Sequence, residues 1–352
     1  MLNRHALPDL ARSIANGHCM SREEVTDAVG ALLSESLSDS EKADFLLVFS
    51  KKGETPEEIA HFVEEILKYA RPIDFGDVSG AVLDVCGTGG DRLDLFNIST
   101  TSMFILSAGG ARVLKHGNRG VTSRSGGADV LEALGVRIDL EPLELKECFL
   151  QHGLAFVFAQ KYHPAFKSVA PVRKMLAQRG IATIFNKIGP LLNPANLTYQ
   201  LVGVFSETLL EQYAQVLKQL KRKAAWIVHG YTETGLGVDE LSTMGLTQIC
   251  ELKNGNIARW QLDPVSLPLS KATVAQLKGG TPTENAKFIQ GILSGEITGP
   301  KREIVMLNAA AGFAVTGLAK NLEEGLDQAE AALNSGAALG KLNALRKFAL
   351  PA

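Results

Sequence analysis

Only four cysteines occur among 352 residues, and Cys19, Cys86, Cys148 and Cys250 are far apart with no CxxC pair. That spacing supports neither a zinc site nor a disulfide framework, and it fits a reducing compartment. No apolar run approaches the roughly 18 residues that a membrane span needs. The opening stretch MLNRHALPDLARSIANGHCM lacks the apolar centre of a secretory signal. A cytoplasmic setting without membrane contact is therefore expected. An excess of one charge is also missing: 36 Lys and Arg against 38 Asp and Glu leave a net charge of −2. Broad nucleic-acid binding rests on cations neutralising phosphates, so this balance argues against it while leaving room for a local basic pocket. Short-period repeats and low-complexity tracts are absent as well.

The length exceeds what a single compact core usually takes, so two lobes are expected. With 45% hydrophobic and 21% charged residues, the composition is that of a globular protein. The first 70 residues read as helices. SREE at Ser21, SDSE at Ser38 and TPEE at Thr55 each place a hydroxyl and, three residues on, a glutamate, the reciprocal cap of a helix start. Pro56 falls where a helix start tolerates proline best. Beyond Thr55, the positions Ile59, Phe62, Val63, Ile66, Leu67 and Ala70 form one apolar stripe at steps of three and four.

After the linker RPIDFGDVSG the texture changes. Short apolar runs, AVLDV, ARVL, LAFVFA, YQLVGVF and AAWIVHG, alternate with helical stretches. That alternation predicts an α/β lobe with a mainly parallel sheet. SVAPVRKMLAQRG reads as a helix that interrupts the alternation and packs back on the N-terminal helices. MLNAAAGFAVTGLA reads as a small-residue helix lying on the sheet.

Three glycines fall in four positions after the first strand, in CGTGGDRLDLFNIST. A dinucleotide turn needs G-x-G-x-x-G, but Arg92 stands at the sixth position; a P-loop needs a Lys that is not there. The position remains informative, because loops at the carboxyl ends of parallel strands are where such sheets bind ligands. Gly amides and the NIST helix start suit an anion, although an ordinary capped turn would look the same.

The stretch KHGNRGVTSRSGGADVLEALG also follows a strand, and it offers Lys115, His116, Asn118, Arg119, Ser123, Arg124 and Ser125 among four glycines. Its helix is expected to be capped by Ser125 or Asp129. Two such loops favour a ligand with several phosphates. In VDELS, Asp239 and Glu240 are a carboxylate pair suited to Mg²⁺, a weak signal that gains weight beside phosphate loops.

Together GTGGD…FNIST, KHGNR…SGGADVLEALG, GPLLNPA and DELS resemble, in order and spacing, the anthranilate phosphoribosyltransferase family of tryptophan biosynthesis. The likeness runs over nearly the whole chain. It implies a small helical domain over 1–72, with 166–190 packing back onto it, hinged to a large α/β domain over 80–165 and 191–352. It implies a homodimer and transfer of the phosphoribosyl group of 5-phosphoribosyl 1-diphosphate to anthranilate, with Mg²⁺. Carried over by motif, Gly87, Thr88, Gly89, Gly90 and Asp91 belong to the diphosphate loop. Asn97, Ser99, Thr100, Lys115 and Ser125 are further donor contacts, and Ser99, Asp239 and Glu240 are Mg²⁺ contacts. His116, Asn118 and Arg173 lie on the anthranilate side, where Pro190 lines the channel. The aromatic amine is neutral at pH 7, so no dedicated base is required and the sequence offers no obvious one; His116 has two open readings, a base or a group that positions the substrate.

Two departures stand out. Ala182 precedes Thr183 where the family usually has Arg, which puts the aromatic acceptor in question, and Gly127 stands where Ser is common. Open alternatives are a relative with another aromatic acceptor, a pyrimidine nucleoside phosphorylase-like enzyme, and a non-catalytic nucleic-acid-binding relative. Asp239-Glu240 and KHGNR argue against the second, and the intact motifs and net charge of −2 against the third.

Overall fold

The computed structural model describes residues 6–73, 75, 82–90, 93–120 and 124–348. Four helices open the chain: α1 (Ala6–Ala15), α2 (Arg22–Leu33), α3 (Asp39–Lys52) and α4 (Pro56–Leu67). All three capping boxes close. The side chains of Ser21, Ser38 and Thr55 accept from the amides of Glu24, Glu41 and Glu58, and each glutamate bonds back. Each box satisfies two of the amides that a helix start leaves bare, and a cap of this kind is worth about 1 kcal/mol. On α4 the residues Ile59, Phe62, Val63 and Ile66 are buried, while Leu67 at its end and Ala70 just beyond it are only partly covered.

The five expected strands are present as β1 (Val82–Gly87), β2 (Arg112–Gly117), β3 (Leu154–Phe158), β4 (Tyr199–Gly203) and β5 (Ala224–Tyr231). They pair in parallel in the order β3-β2-β1-β4-β5. A hairpin of Thr247–Lys253 and Asn256–Leu262 extends the sheet antiparallel beyond β5. Sequence patterning alone did not reveal it, because its outer strand is largely exposed and lacks an apolar run. Its turn, Asn254-Gly255, has φ of 48° and 82°, the two left-handed positions of a tight hairpin.

Strand alternation separates two cores. In β4 and β5, Leu201, Trp226 and Val228 join the core under α5 (Ile98–Ala108) and the C-terminal helices. Val202, Ala225 and Ile227 join the core that also holds the N-terminal helices. The Ala170–Gln178 helix sends Val172 and Leu176 into this second core. No helix among the described residues is long and apolar enough to cross a membrane.

The strand order fixes the place of a ligand. From β1 the chain builds outward to β2 and β3, then returns to lay β4 on the other side of β1. The crevice at the carboxyl ends of β1 and β4 is therefore the topological switch point.

Candidate functional site

Gly87 and Gly203 are the paired last residues of β1 and β4. A methyl group on Gly87 would lie 2.4 Å from Asp239 Oδ2, and one on Gly203 would lie 1.5 Å from the Asp239 carbonyl oxygen. Only glycine at both strand ends lets Asp239 descend between them. The following loop turns through Gly89 and Gly90 at φ of 67° and 94°. The Gly89 amide donates to Asp239 Oδ2 at 2.6 Å. Thr88 ties the loop to β4: its amide donates to Gly203 O and its Oγ1 accepts from the Phe205 amide, both at 3.0 Å. Asp91 lies outside the described residues.

The first turn of α5 completes this side. Glu240 Oε1 accepts from the Ser99 amide at 3.2 Å, a carboxylate at a helix N-terminus. Lys115, almost fully buried, donates to the Val85 carbonyl and, at 3.2 Å, to Ser99 Oγ. Thr100 is buried beside Gly127, where an added methyl group would sit 3.1 Å from Thr100 Oγ1. Asn97 exchanges hydrogen bonds with Ser125: Nδ2 donates to Ser125 O at 3.1 Å, and Ser125 Oγ donates to Oδ1 at 3.2 Å.

That engagement explains a correction. Neither Ser125 nor Asp129 caps helix α6 (Gly127–Ala133); Gly126 does. The Ser125 hydroxyl is turned to Asn97, while Asp129, inside the first turn, accepts from the Gly126 and Gly120 amides at 2.9 and 2.8 Å. Arg119 pairs with Asp129 and Glu132, and Asn118 Oδ1 accepts from Gln160 at 3.1 Å.

The opposite wall is aromatic. The His116 ring meets the His163 ring edge-on at 5.5 Å, His163 meets Phe166 at 5.5 Å, and Phe166 meets Phe185 at 5.6 Å. The Arg173 guanidinium lies 5.9 and 5.5 Å from the centres of Phe166 and Phe185. Burial first, then neighbouring His163 and Lys115, pulls His116 down to about 3, and burial pulls His163 down to about 4, so both are neutral at pH 7. His116 Nε2 is buried with no hydrogen-bond partner among the described residues. Its backbone amide donates to the buried Asp84 at 3.1 Å. Pro190 is held by its carbonyl, which accepts from Gln200 at 2.7 Å and from the Cys86 thiol. Burial pushes the Cys86 thiol well up, so it is a structural strand-end residue and not a nucleophile.

Both walls line one cleft of about 680 Å³, within the range of small-molecule sites. Gly87, Thr88, Gly89, Gly90, Asn97, Ser99, Thr100, Lys115, His116, Asn118, Ser125, Arg173, Pro190, Asp239 and Glu240 all border it. His163, Phe166 and Phe185 were not singled out from the sequence. The available signal was FAQKYHPAF, a ring-rich stretch at the carboxyl end of β3.

The profile described as "Glycosyl transferase family, a/b domain" matches residues 79–339, and the one described as "Glycosyl transferase family, helical bundle domain" matches residues 8–70. The anthranilate phosphoribosyltransferase of Methanosarcina barkeri is 43% identical over 95% of this chain and 88% of its own length. The chain belongs to the anthranilate phosphoribosyltransferase family. The family's enzyme from Petrotoga mobilis is 41% identical over 96% of this chain and 95% of its own. Among solved structures, the family member from Thermus thermophilus superposes with a TM-score of 0.88 at 37% identity, covering 97% and 99% of the two chains. The Saccharomyces cerevisiae member, solved in complex with PRPP and Mg, gives 0.85 at 25% identity over 98% and 99%.

The departure from the family pattern at Ala182 falls outside the cleft lining. Ala182 is exposed, and its carbonyl accepts from Ser50 Oγ at 2.7 Å. The aromatic wall of the cleft is formed by His163, Phe166 and Phe185 with Arg173 beside them, and position 182 is not part of its lining. The donor set at the strand ends also suits Mg²⁺: two carboxylates and a hydroxyl are hard oxygen ligands, few enough to leave places for substrate phosphates and water.

Proposed function

We propose that the chain transfers the 5-phosphoribosyl group of 5-phosphoribosyl 1-diphosphate to the amine of anthranilate, releasing pyrophosphate. The observation that carries this reading is one cleft with two unlike walls. Glycine loop, helix start, Lys115 and a carboxylate pair stand on one side; planar rings and the Arg173 guanidinium stand on the other.

The ribose C1–O bond to diphosphate breaks with its electron pair leaving on pyrophosphate, and a bond forms from C1 to the amine nitrogen. As C1 gains cationic character, negative charge grows on the departing group. Lys115, a buried cation, and the positive end of the α5 dipole meet that charge. Asp239, Glu240 and Ser99 would hold Mg²⁺, which when bound supplies charge neutralisation to the diphosphate. The Gly89 amide, engaged by Asp239, aims that carboxylate.

Anthranilate's aromatic amine is neutral at pH 7 and attacks without prior deprotonation. The substituted anilinium that results is acidic and gives its surplus proton to water. His116, neutral with its Nε2 lone pair unused, is a hydrogen-bond acceptor for the amine and too weak a base to drive the step. Arg173 matches the anthranilate carboxylate through its planar pair of N–H donors, with the ring lying against the aromatic wall of His163, Phe166 and Phe185.

The same reading divides the chain into a helical unit of 1–72 with 166–190 and an α/β unit of 80–165 and 191–352. Arg173 sits on the first and Lys115 on the second, so closure of the two joins the substrates. A homodimer in the cytoplasm belongs to this proposal, and light scattering of the purified chain tests the dimer. The reaction is tested by following loss of anthranilate fluorescence with 5-phosphoribosyl 1-diphosphate and Mg²⁺, with pyrophosphate measured in parallel. Stoichiometric release supports the reading. Failure to consume anthranilate, with phosphorolysis of a pyrimidine nucleoside instead, overturns it.

A further inference from the structure

Asn285 is buried in the first turns of the Pro282–Ser294 helix, 188 residues beyond Asn97 in the chain. Its Nδ2 donates to Asn97 Oδ1 at 2.9 Å, and its own Oδ1 accepts from the Gly280 amide at 2.8 Å. Asn97 Nδ2 in turn donates to the Ser125 carbonyl at 3.1 Å. The two ends of this chain are backbone groups whose polarity is fixed: an N–H at Gly280 and a C=O at Ser125. Between them, each amide has one orientation that satisfies every link, because flipping either would set donor against donor or acceptor against acceptor.

The backbone around Asn285 is locked onto the same loop. Gly279 donates to Asp94 O at 2.7 Å, the Phe96 amide donates to Leu277 O at 3.2 Å, and Leu95 bridges Lys278 antiparallel. A methyl group on Gly279 would lie 2.8 Å from the Phe96 backbone. The Leu277–Asn285 segment therefore braces the loop leading into α5 from behind.

We propose that Asn285 is a positioning residue for phosphoribosyl diphosphate: it fixes the side-chain amide of Asn97 so that its second Nδ2 hydrogen faces the ligand as a donor. Asn97 Oδ1 takes two hydrogen bonds, from Asn285 and Ser125, and one Nδ2 hydrogen serves Ser125 O. Among the described residues the other Nδ2 hydrogen has no acceptor, and Asn97 borders the cleft. A ribose hydroxyl or phosphate oxygen is the acceptor that suits it. This inference rests on the reading that the cleft binds phosphoribosyl diphosphate.

The test compares Asn285→Leu and Asn285→Asp with wild type, measuring KM for each substrate and the calorimetric Kd of phosphoribosyl diphosphate with Mg²⁺. Asn285→Leu removes the donor that orients Asn97. It should raise KM and Kd for phosphoribosyl diphosphate about tenfold, leaving KM for anthranilate at saturating donor unchanged. Asn285→Asp presents an acceptor to Asn97 Oδ1 when ionised and a donor when protonated. Its KM for phosphoribosyl diphosphate, taken as a ratio to wild type at each pH, should fall toward one between about pH 8 and pH 6, because burial raises the introduced carboxyl. A purely structural role would shift stability and the KM of both substrates together, whereas a rescue confined to the KM for phosphoribosyl diphosphate marks positioning, and it can be read even if Asn285→Leu fails to fold. A flat ratio, or a folded Asn285→Leu with wild-type donor KM and Kd, overturns the proposal. Asn97→Ala serves as the control: if it weakens donor binding while both Asn285 variants match wild type, only the role of Asn285 falls. If wild type itself does not bind the donor, it is the functional reading that falls.

Discussion

The Gly89 amide and Asp239 Oδ2 lie 2.6 Å apart although 150 residues separate them in the chain. The glycine loop and the acidic pair, two separate motifs in the sequence, are thus one device. The loop turns a backbone donor toward the carboxylate, Gly87 leaves room for that carboxylate, and Gly203 leaves room for the Asp239 backbone.

Gly203→Ala tests that space. Its methyl group would meet the Asp239 carbonyl at 1.5 Å, an overlap that backbone movement alone relieves. A shift of Asp239 displaces the carboxylate from the strand ends. The variant is expected to fold and to lose about 10²-fold in kcat/KM, the scale seen when a single electrostatic contact is removed. Circular dichroism and the fluorescence assay check it, and near-normal turnover would show that Asp239 has latitude there.

Asp239→Asn with Glu240→Gln removes both charges and keeps shape. Turnover should fall about 10³-fold, and the dependence on Mg²⁺ concentration should flatten. A magnesium titration of the double variant decides the matter. Full activity with an unchanged titration curve would remove these residues from the metal site.

Arg173→Ala leaves the Phe166 and Phe185 rings and deletes the cation beside them. KM for anthranilate should rise by about tenfold or more, while KM for the phosphoribosyl donor changes little. Equal rises for both substrates would place Arg173 in lobe closure and not in carboxylate recognition.

The buried histidines set an acid limit on stability. His116 is lowered to about 3 and His163 to about 4 from an ordinary 6.5. Below pH 6.5 the unfolded chain takes up protons at these rings that the folded chain refuses, so stability drops as pH falls from 6.5 toward 4. Asp84 acts with the opposite sign. Burial raises it to about 6 from 3.8, so its contribution declines as pH rises between those values. Two rings outweigh one carboxyl, and the net loss lies on the acid side. His163→Gln, which keeps a donor for the Leu192 carbonyl, should reduce the slope between pH 6.5 and 4 by about one proton. Denaturant unfolding at several pH values measures it, and an unaltered slope would refute the assignment.

Much of the site was legible because its motifs are short. Gly87 to Gly90, Asn97 to Thr100, Lys115 to Asn118 and Asp239-Glu240 each pack their chemistry into a few residues at a strand end or helix start, and the cleft gathers all of them that are described. The hairpin beyond β5 carries one local signal, Asn254-Gly255, but its exposed outer strand hides the alternation that would complete it. Gly203 and Asn285 were not legible. A glycine ending an apolar strand and an asparagine early in a capped helix have ordinary local explanations.

The sequence by itself determined what depends on near neighbours. The three capping boxes, the apolar stripe of α4, the strand–helix alternation and the glycine turn all follow from hydrogen-bond reach and side-chain periodicity within a few residues. Tertiary structure decided which distant groups meet: Asp239 between Gly87 and Gly203, Asn285 on Asn97, and Arg173 over Phe166 and Phe185. Periodicity states which face of an element is apolar, whereas strand order and packing state what that face lies against. The chain returned from β3 to the far side of β1, and that return placed the acidic pair over the glycine loop.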